Sequence, residues 1–364
     1  MAMVSPVFSI ADFERLAEQR LDPGTAAYLL GGSGDEITLR RNREAFDSLS
    51  LRPRMLADLR GASTEITLLA RSYPTPILLG PVAHQCLFAE EGECLSAMAA
   101  AAMEMPYVIS TLASRRYEEI VQAGEGQEQW FQLYWQQTRA RTAALLKRVA
   151  ALDVAALVFT LDAPVNALRN REQRTGFVLP PHARAMNIDD PQRAPVDGRH
   201  RVFDVLMAEA PRWEDLDWLR REWRKPLLVK GILCREDALR ALEAGDDGII
   251  VSNHGGRVLD GAAASIAALP EIAAAVAGRV PILLDSGIRR GSDVLKAIAL
   301  GANAVLVGRA YATALAAGGV RGVVQALKIL SEELAVAMAL TGCRSLCRLR
   351  GETDFASLIQ QERL

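Results

Sequence analysis

A regular alternation of short apolar runs with longer amphipathic stretches is the feature that most constrains the fold. Eight such runs follow one another after residue 75, at residues 76–79, 107–110, 130–134, 156–160, 227–230, 248–252, 282–285 and 304–307. Apolar runs without polar alternation are typical of parallel strands that are buried on both faces. Eight of them separated by helices predict an α/β fold, a closed (β/α)8 TIM barrel, and a doubly wound open sheet is the alternative.

An internal repeat favours the barrel over the open sheet. Seven residues recur 56 positions further along the chain. The first set is Gly231, Ile232, Asp237, Leu239, Ala241, Gly245 and Val251, and the second is Gly287, Ile288, Asp293, Leu295, Ala297, Gly301 and Val307. Such an echo is expected where one strand-helix unit recurs around a ring.

The length of 364 residues fits one barrel with additions. Residues 9–21 have apolar side chains at helical spacing, and Ser9 and Asp12 have the spacing of a capping box. Residues 176–211 are polar and irregular, and a long loop at this place lies on the catalytic face of a barrel. We predict a single domain over residues 1–364, with an N-terminal helical segment and a long loop after strand 4.

Charge and cysteine content exclude several classes of partner. The 42 Lys and Arg residues nearly balance the 44 Asp and Glu residues, so no nucleic-acid partner and no anionic membrane surface is expected. The five cysteines are scattered and have no metal-ligand spacing with the four histidines, which predicts no metal site and a reducing, cytoplasmic location. Charged residues in the first helix and the absence of an apolar run of about 18 residues argue against a signal peptide and a membrane span.

Polar residues follow nearly every predicted strand, on the face where a barrel builds its active site. In chain order they are Ser110, Gln132 with Tyr134, Thr160 with Asp162, Lys230, Ser252 with His254 and Arg257, Asp285 with Arg289, and Gly308 with Arg309. The last two strand ends combine glycines with guanidinium groups, which suits a phosphate. Near Ser252, His254 can take a proton while Arg257 holds a substrate carboxylate beside it.

The sequence resembles the FMN-dependent α-hydroxy acid oxidases and dehydrogenases, which include glycolate oxidase, lactate oxidase and mandelate dehydrogenase. The resemblance covers about residues 10–350, and its most specific stretches are residues 131–134, 229–231, 252–257 and 284–289. It implies a flavoenzyme that oxidises an (S)-2-hydroxy acid to the 2-oxo acid, with FMN as electron acceptor, O2 as the reoxidant and a homotetrameric assembly.

The resemblance also implies catalytic and substrate-binding roles. His254 is implied to be the base that removes a proton from the substrate, with Asp162 as its partner. Arg257 and Arg169 are implied to clamp the substrate carboxylate, helped by Tyr28. Tyr134 is implied to hydrogen-bond the substrate hydroxyl or carboxylate, and Lys230 to stabilise the anion of the reduced flavin near N1 and the C2 oxygen.

The implied cofactor residues surround the flavin from several strands. Pro81, Val82 and Ala83 are expected to lie against the ring, and Ser110, Gln132, Thr160 and Ser252 to bond its polar edge or the ribityl chain. The ribityl and phosphate groups are expected to meet Asp285, Gly287, Arg289, Gly308 and Arg309.

Three departures from the family pattern bear on the choice of substrate and on the fine tuning of the site. Leu112 stands where glycolate oxidase has a tryptophan over the substrate side chain, and the apolar space favours an aryl or other bulky, mandelate-like substrate. Ser286 replaces a usual glycine, and His84 replaces an apolar residue near the ring. A lone histidine such as His84 is more often a hydrogen-bonded filler than a second base.

Other functions stay open from the sequence. One is a dehydrogenase that passes electrons to a quinone or another carrier instead of O2. Another is a barrel that binds FMN or a phosphate ligand and performs a different reaction. A nicotinamide dehydrogenase lacks support, because no Gly-x-Gly-x-x-Gly turn joins a strand to a helix.

Overall fold

The eight apolar runs form a closed barrel in the computed structural model, which describes residues 6–188, 200–346 and 358–361. The strands are β1 (Leu49–Leu51), β2 (Ile66–Leu68), β3 (Arg71–Tyr73), β4 (Ile77–Leu79), β5 (Tyr107–Ser110), β6 (Gln129–Leu133), β7 (Leu157–Thr160), β8 (Leu227–Ile232), β9 (Gly248–Val251), β10 (Ile282–Leu284), β11 (Ala304–Val307) and β12 (Ile359–Gln361). Strands β4 to β11 pair in parallel in chain order, and β11 pairs with β4, which closes the ring. The (β/α)8 prediction is confirmed and the open-sheet alternative is wrong.

Helices alternate with the barrel strands, and three more precede them. They are α1 (Ile10–Arg20), α2 (Pro23–Leu30), α3 (Ile37–Asp47), α4 (Glu93–Ala102), α5 (Tyr117–Ala123), α6 (Arg139–Ala150), α7 (Asn170–Arg174), α8 (Trp213–Glu222), α9 (Arg235–Glu243), α10 (Ser265–Val276), α11 (Gly291–Ala299) and α12 (Arg309–Thr341). Helix α12 is broken at Gly318 and Gly319, whose backbone angles are not helical. The alanine-rich parts of α4 and α12 are largely buried and pack against each other, so they face the protein interior.

The sequence repeat has a structural counterpart in two strand-helix-strand units. Asp247 accepts a hydrogen bond from Leu227 N through its side chain and donates its own N–H to Leu227 O. Asn303, 56 residues further on, makes the same pair of bonds with Ile282. Each unit therefore uses one side chain to fix the start of a strand against the start of its neighbour.

The N-terminal segment forms three helices with identifiable caps. Ser9 and Asp12 make the predicted capping box of α1, and Asp22 caps α2. Helix α3 has no cap from its own preceding residue, but Asp260 accepts hydrogen bonds from Asp35 N and Thr38 N, both at 2.9 Å. Because Asp260 lies just beyond the turn after β9, this contact fixes α3 to the face of the barrel that carries the site.

Four short strands lie outside the barrel and were not predicted. Strands β1 and β12 pair antiparallel, and β2 and β3 form a hairpin. Tyr73 of the hairpin donates to Glu128 Oε1 at 2.6 Å, immediately before β6 begins. The hairpin therefore contacts the amino ends of the barrel strands, opposite the predicted site.

The long loop after β7, the fourth barrel strand, is described at residues 176–188 and 200–211. It contains 3-10 turns at Pro181–Ala183 and Met207–Glu209 and a π-helical stretch at Arg201–Leu206. The other loop residues, 189–199, and one of the five cysteines, Cys347, lie outside the described residues. Among the described residues, no helix is long and apolar enough to cross a membrane, and no group of three or more candidate metal ligands occurs.

Candidate active site

The polar residues predicted from the strand ends converge on one face of the barrel. His254 lies in a 3-10 turn (His254–Gly256) after β9, and Asp162 follows β7. Tyr134 follows β6, and Lys230 lies within β8. Since the carboxyl ends of parallel strands meet at the same rim, residues more than 100 positions apart in the chain become neighbours.

His254 is held between a carboxylate and a phenol. Its Nδ1 lies 2.8 Å from Asp162 Oδ1, and its Nε2 lies 3.1 Å from the hydroxyl of Tyr134. With a proton on Nδ1 directed at Asp162, Nε2 presents its lone pair to the space that Tyr134 borders. His254 also has a φ of +58°, and a strained backbone of this kind persists where the surroundings hold it firmly.

Asp162 is ionised in spite of its burial. Burial alone would raise the pKa of this carboxyl group, but the interactions with His254 and Lys230 outweigh it and lower the pKa. The second oxygen, Oδ2, is buried and has no hydrogen-bond partner within the described residues. The carboxylate is therefore a source of negative charge directed at the imidazole.

Lys230 is a buried cation at the centre of the site. Its Nζ donates to Ser252 Oγ at 2.7 Å and pairs with Asp285 Oδ2 at 3.0 Å. Burial would lower the pKa of this ammonium group, but the carboxylates of Asp285 and Asp162 outweigh it and raise the pKa. Ser252 Oγ accepts in addition from His254 N at 3.0 Å, which links the lysine to the histidine turn.

A row of amide and hydroxyl groups crosses the ends of β5, β6 and β7. Gln132 Nε2 donates to Thr160 Oγ1 at 3.0 Å, and Gln132 Oε1 accepts from Ser110 Oγ at 3.4 Å. All three side chains are buried. Alternating donors and acceptors of this kind complement a planar ligand edge that carries both N–H and C=O groups.

Two arginines share one acidic partner, Glu172, which was not expected from the sequence. Arg257 Nη2 and Arg169 Nη1 donate to the same oxygen, Glu172 Oε1, at 3.2 and 3.4 Å. Burial and the charge of Arg169 lower the pKa of Arg257, and Glu172 acts in the opposite sense. Glu172 stands three residues after Arg169, a spacing that brings side chains together on the helical turn of α7 and that could have identified it.

The ring of Tyr28 lies against the same arginine pair. The guanidinium carbon of Arg257 is 4.8 Å from the centroid of the ring, a cation–π contact. Arg257 Nη1 donates to the carbonyls of Tyr28 and Gly31 at the end of α2. The N-terminal segment therefore forms a wall of the site, and burial raises the pKa of the Tyr28 hydroxyl.

In the structure, both arginines that were expected at the phosphate have other partners. Arg309 is buried and donates to the carbonyls of Leu29, Gly31 and Gly255 at 3.1, 2.6 and 2.7 Å. Arg289 Nε is paired with Glu14 of α1.

The two glycines expected at the phosphate, Gly308 and Gly287, lie beside these arginines in the sequence. Gly308 immediately precedes the N-terminus of α12, where N–H groups face an anion favourably. A side chain at Gly287 would meet Asn42 O at 2.7 Å.

The first barrel loop is fixed by a buried amide. Gln85 Nε2 donates to Val82 O at 3.1 Å and to the hydroxyls of Tyr107 and Tyr311 at 3.0 and 3.1 Å. This network sets the path of residues 81–83, where Pro81, Val82 and Ala83 are partly exposed on the rim. Gln85 was not identified from the sequence, since a single glutamine carries no pattern.

Leu112 and His84 are neighbours at the edge of the site. His84 N donates to Leu112 O at 3.1 Å, and Leu112 is partly exposed. His84 Nδ1 lies 2.8 Å from Ala183 O in the long loop, and burial lowers the pKa of the imidazole. These contacts agree with His84 as a hydrogen-bonded filler.

The donor set fits the FMN that the resemblance implies. A row of buried amide and hydroxyl groups suits the pyrimidine edge of a flavin, and the Lys230 ammonium suits an edge that gains negative charge. The N-terminus of α12 after Gly308 suits a phosphate. Because the Arg289 and Arg309 side chains are engaged elsewhere, their contact with a phosphate stays a prediction.

A family model and curated relatives match nearly the whole chain. The model of the FMN-dependent dehydrogenases matches residues 17–354. An L-lactate oxidase from Nostoc is 44% identical over 355 residues, covering 95% of this chain and 97% of that protein. A 4-hydroxymandelate oxidase from Amycolatopsis orientalis is 46% identical over 342 residues, covering 93% of this chain and 95% of that protein.

Solved structures of mandelate oxidase have the same architecture. A mandelate oxidase variant with 2-hydroxy-phenylacetamide superposes with a TM-score of 0.89 at 42% identity, covering 99% of this chain and 100% of that chain. A mandelate oxidase with (S)-2-phenylpropionate gives a TM-score of 0.87 at 44% identity, covering 95% and 97%. The likeness therefore extends over the barrel and its additions alike.

Proposed function

The chain belongs to the FMN-dependent dehydrogenase family, and we propose that it oxidises an (S)-2-hydroxy acid with an aryl or other bulky side chain to the 2-oxo acid. The observation that carries the proposal is the His254 imidazole, held by Asp162 and in contact with the Tyr134 hydroxyl. Burial raises the pKa of this hydroxyl, and the nearby charges of Arg169 and Arg257 act in the opposite sense, so the base and both guanidinium groups lie around Tyr134. A base beside a pair of guanidinium groups is what removal of a proton from a hydroxy carboxylate requires. FMN, when bound, would supply the acceptor for two electrons and for the hydrogen that His254 does not take, with O2 as its reoxidant.

His254 acts as the base through Nε2. This atom lies 3.1 Å from the Tyr134 hydroxyl, so a substrate hydroxyl that enters between them would meet both groups. The substrate proton goes to Nε2, and the imidazolium that results is stabilised by Asp162 at 2.8 Å from Nδ1. Tyr134 orients the substrate by a hydrogen bond to its hydroxyl or carboxylate.

Arg257 and Arg169 bind the substrate carboxylate. A guanidinium group has five N–H donors, more than the three hydrogen bonds that Arg257 makes within the described residues, so donors remain for a ligand. Glu172 lies between the two cations and reduces their mutual repulsion. The Tyr28 ring lies against Arg257 and would shield the ion pair between Arg257 and the substrate carboxylate from water.

The remaining site residues would hold FMN. Ser110, Gln132, Thr160 and Ser252 supply the polar row for the ring and the ribityl chain, and Pro81, Val82 and Ala83 would lie against the ring. Lys230, paired with Asp285, places a positive charge where the reduced ring is anionic. The phosphate would meet the backbone near Gly287 and Gly308, with Arg289 and Arg309 close by.

The aryl preference is supported by Leu112 and by the relatives. Leu112 is partly exposed at the rim, and an apolar side chain that is smaller than tryptophan leaves room for a ring. The 4-hydroxymandelate oxidase and the mandelate oxidase structures have names that include aryl substrates. The L-lactate oxidases at 44% identity make lactate the comparison substrate.

An anaerobic visible titration tests the function. The purified yellow protein is mixed with (S)-mandelate or L-lactate, the flavin band is followed, and air is then admitted. We expect bleaching at lower mandelate than lactate concentration, followed by recovery in air. No bleaching with either acid would overturn the reaction, bleaching favoured by lactate would overturn the aryl preference, and bleaching without recovery would indicate a quinone- or carrier-linked dehydrogenase.

Assembly and location complete the proposal. We propose a single folded domain over residues 1–364 that assembles as a homotetramer in the cytoplasm, without a nucleic-acid partner or a membrane span. The four described cysteines are free thiols, in keeping with a reducing compartment. Light scattering on a size-exclusion column measures the assembly, and a dimer or monomer would contradict the tetramer.

A further inference from the structure

Ser286 connects two parts of the site and has no role in the reaction proposed above. It stands two residues beyond the end of β10, and its hydroxyl donates to Asp285 Oδ1 at 2.8 Å. The Ser286 hydroxyl oxygen also accepts from Gly255 N at 2.9 Å, in the turn that carries His254. Ser286 therefore links the carboxylate that pairs with Lys230 to the turn that holds the base.

The backbone at Ser286 favours glycine. Its φ is +76°, in the left-handed region that residues with a Cβ atom adopt at a cost. The chain has a serine here where the family resemblance leads one to expect a glycine. The two hydrogen bonds of the hydroxyl offset the strain, so the side chain has an effect that glycine cannot supply.

The hydroxyl acts on Asp285. One oxygen of this carboxylate holds Lys230 Nζ at 3.0 Å, and the other accepts from Ser286. A hydrogen bond to one oxygen draws negative charge away from the other, which weakens the attraction between Asp285 and the ammonium group. The charge of Lys230 is then more available to a third group.

We propose that Ser286 is a positioning residue that weakens the hold of Asp285 on Lys230, and thereby increases the attraction of Lys230 for negative charge on the bound flavin. The inference rests on the proposed function, in which Lys230 lies beside the flavin edge that becomes anionic. It assigns to Ser286 a part in setting the reduction potential of FMN. Both the potential and the affinity for sulfite depend on how well an anionic flavin is stabilised.

Two variants of Ser286 separate the hydroxyl from the backbone strain. Ser286→Ala removes the hydroxyl and keeps the Cβ atom, whereas Ser286→Gly removes both and relieves the positive φ. We expect sulfite binding to weaken about threefold to tenfold in both variants, because both lose the same hydrogen bond to a charged group. The reduction potential of FMN is expected to fall in both, while the melting temperature is higher for the glycine variant than for the alanine variant.

The measurement is a visible titration of the oxidised holoprotein with sulfite, which needs no turnover, together with a dye-coupled reduction potential. Sulfite affinity at the wild-type level in either variant would overturn the inference. The inference would also be overturned if the sulfite affinities of the alanine and glycine variants differed in the same order as their melting temperatures, because backbone strain would then be the cause.

Lys230→Gln distinguishes this inference from the function on which it rests. A large loss of sulfite affinity in Lys230→Gln supports the proposed place of the lysine at the flavin. If that loss occurs while both Ser286 variants behave as wild type, the inference fails and the proposed function stands. If Lys230→Gln binds sulfite as the wild type does, the place assigned to Lys230 is wrong, and the inference falls with it.

Discussion

Replacing Asp162 by Asn is the sharpest test of the proposed base. In the wild type, His254 Nδ1 lies 2.8 Å from Asp162 Oδ1. The amide oxygen of Asn can still accept this hydrogen bond, so the imidazole keeps its orientation while the negative charge of the carboxylate is lost. Two unit charges about 4 Å apart attract by roughly 4 kcal/mol at an effective dielectric constant of about 20. The proton is only partly transferred in the transition state, so we expect a loss of about 2–4 kcal/mol, or a slowing of about 30-fold to 1,000-fold.

The assay is stopped-flow reduction of the flavin by (S)-mandelate without O2, after the visible spectrum has shown that FMN is retained. The control is the double variant with His254→Asn, a substitution expected to abolish rapid bleaching by itself while the yellow colour remains. If Asp162 acts through the imidazole, Asp162→Asn adds little to the loss in the double variant. An equal further slowing in that background would refute the reasoning and would indicate that Asp162 acts on another group, such as Lys230.

Two more predictions concern selectivity and stability. Leu112→Trp should reduce kcat/KM for (S)-mandelate at least about tenfold more than for L-lactate, because the added ring occupies the space of an aryl group; an unchanged ratio would remove Leu112 from the selectivity argument. Asp246, before β9 and away from the site, has a pKa raised to about 8, chiefly by burial, and neither carboxylate oxygen has a hydrogen-bond partner within the described residues. Since its folded-state pKa lies above the unfolded value, its contribution to stability is present below the unfolded pKa and is lost as pH rises through about 8. Asp246→Asn should therefore raise the free energy of unfolding by about 2–5 kcal/mol above pH 8 and by progressively less toward pH 4, with unchanged activity. A gain that is equal at every pH would indicate repacking rather than the charge.

The barrel could be predicted because its strands carry a local signal. The run at residues 157–159 is apolar on every residue, and these residues and the Thr160 that ends the strand are all buried in the structure. The polar residue after each run then falls on one rim by the rule that parallel strands point the same way. His254, Asp162 and Lys230 could be grouped without knowing any distance.

The partners of the site residues could not be predicted in the same way. Asn42 and Asn253 exchange two amide hydrogen bonds across 211 positions of sequence, at 2.9 and 2.6 Å. Arg309 reaches carbonyls of the segment around Leu29, about 280 positions earlier. Such contacts depend on how α2 and α3 dock on the barrel, and no periodicity within a local window encodes that docking.

The cations of the site lie beside carboxylates because a buried charge needs a neighbour of opposite sign. Lys230 is paired with Asp285, and Arg257 and Arg169 share Glu172, so each of these cations has a carboxylate neighbour within the protein. Buried charges without such neighbours would be costly to fold around. Among the described site residues, Arg309 is the exception, because its charge is met by carbonyl groups, and burial together with nearby arginines lowers its pKa well below the usual value. The phosphate of the cofactor and the carboxylate of the substrate would add two anions to these charges. Positive charge is in excess around Arg309 and Arg257, so the attraction for those anions is strongest there.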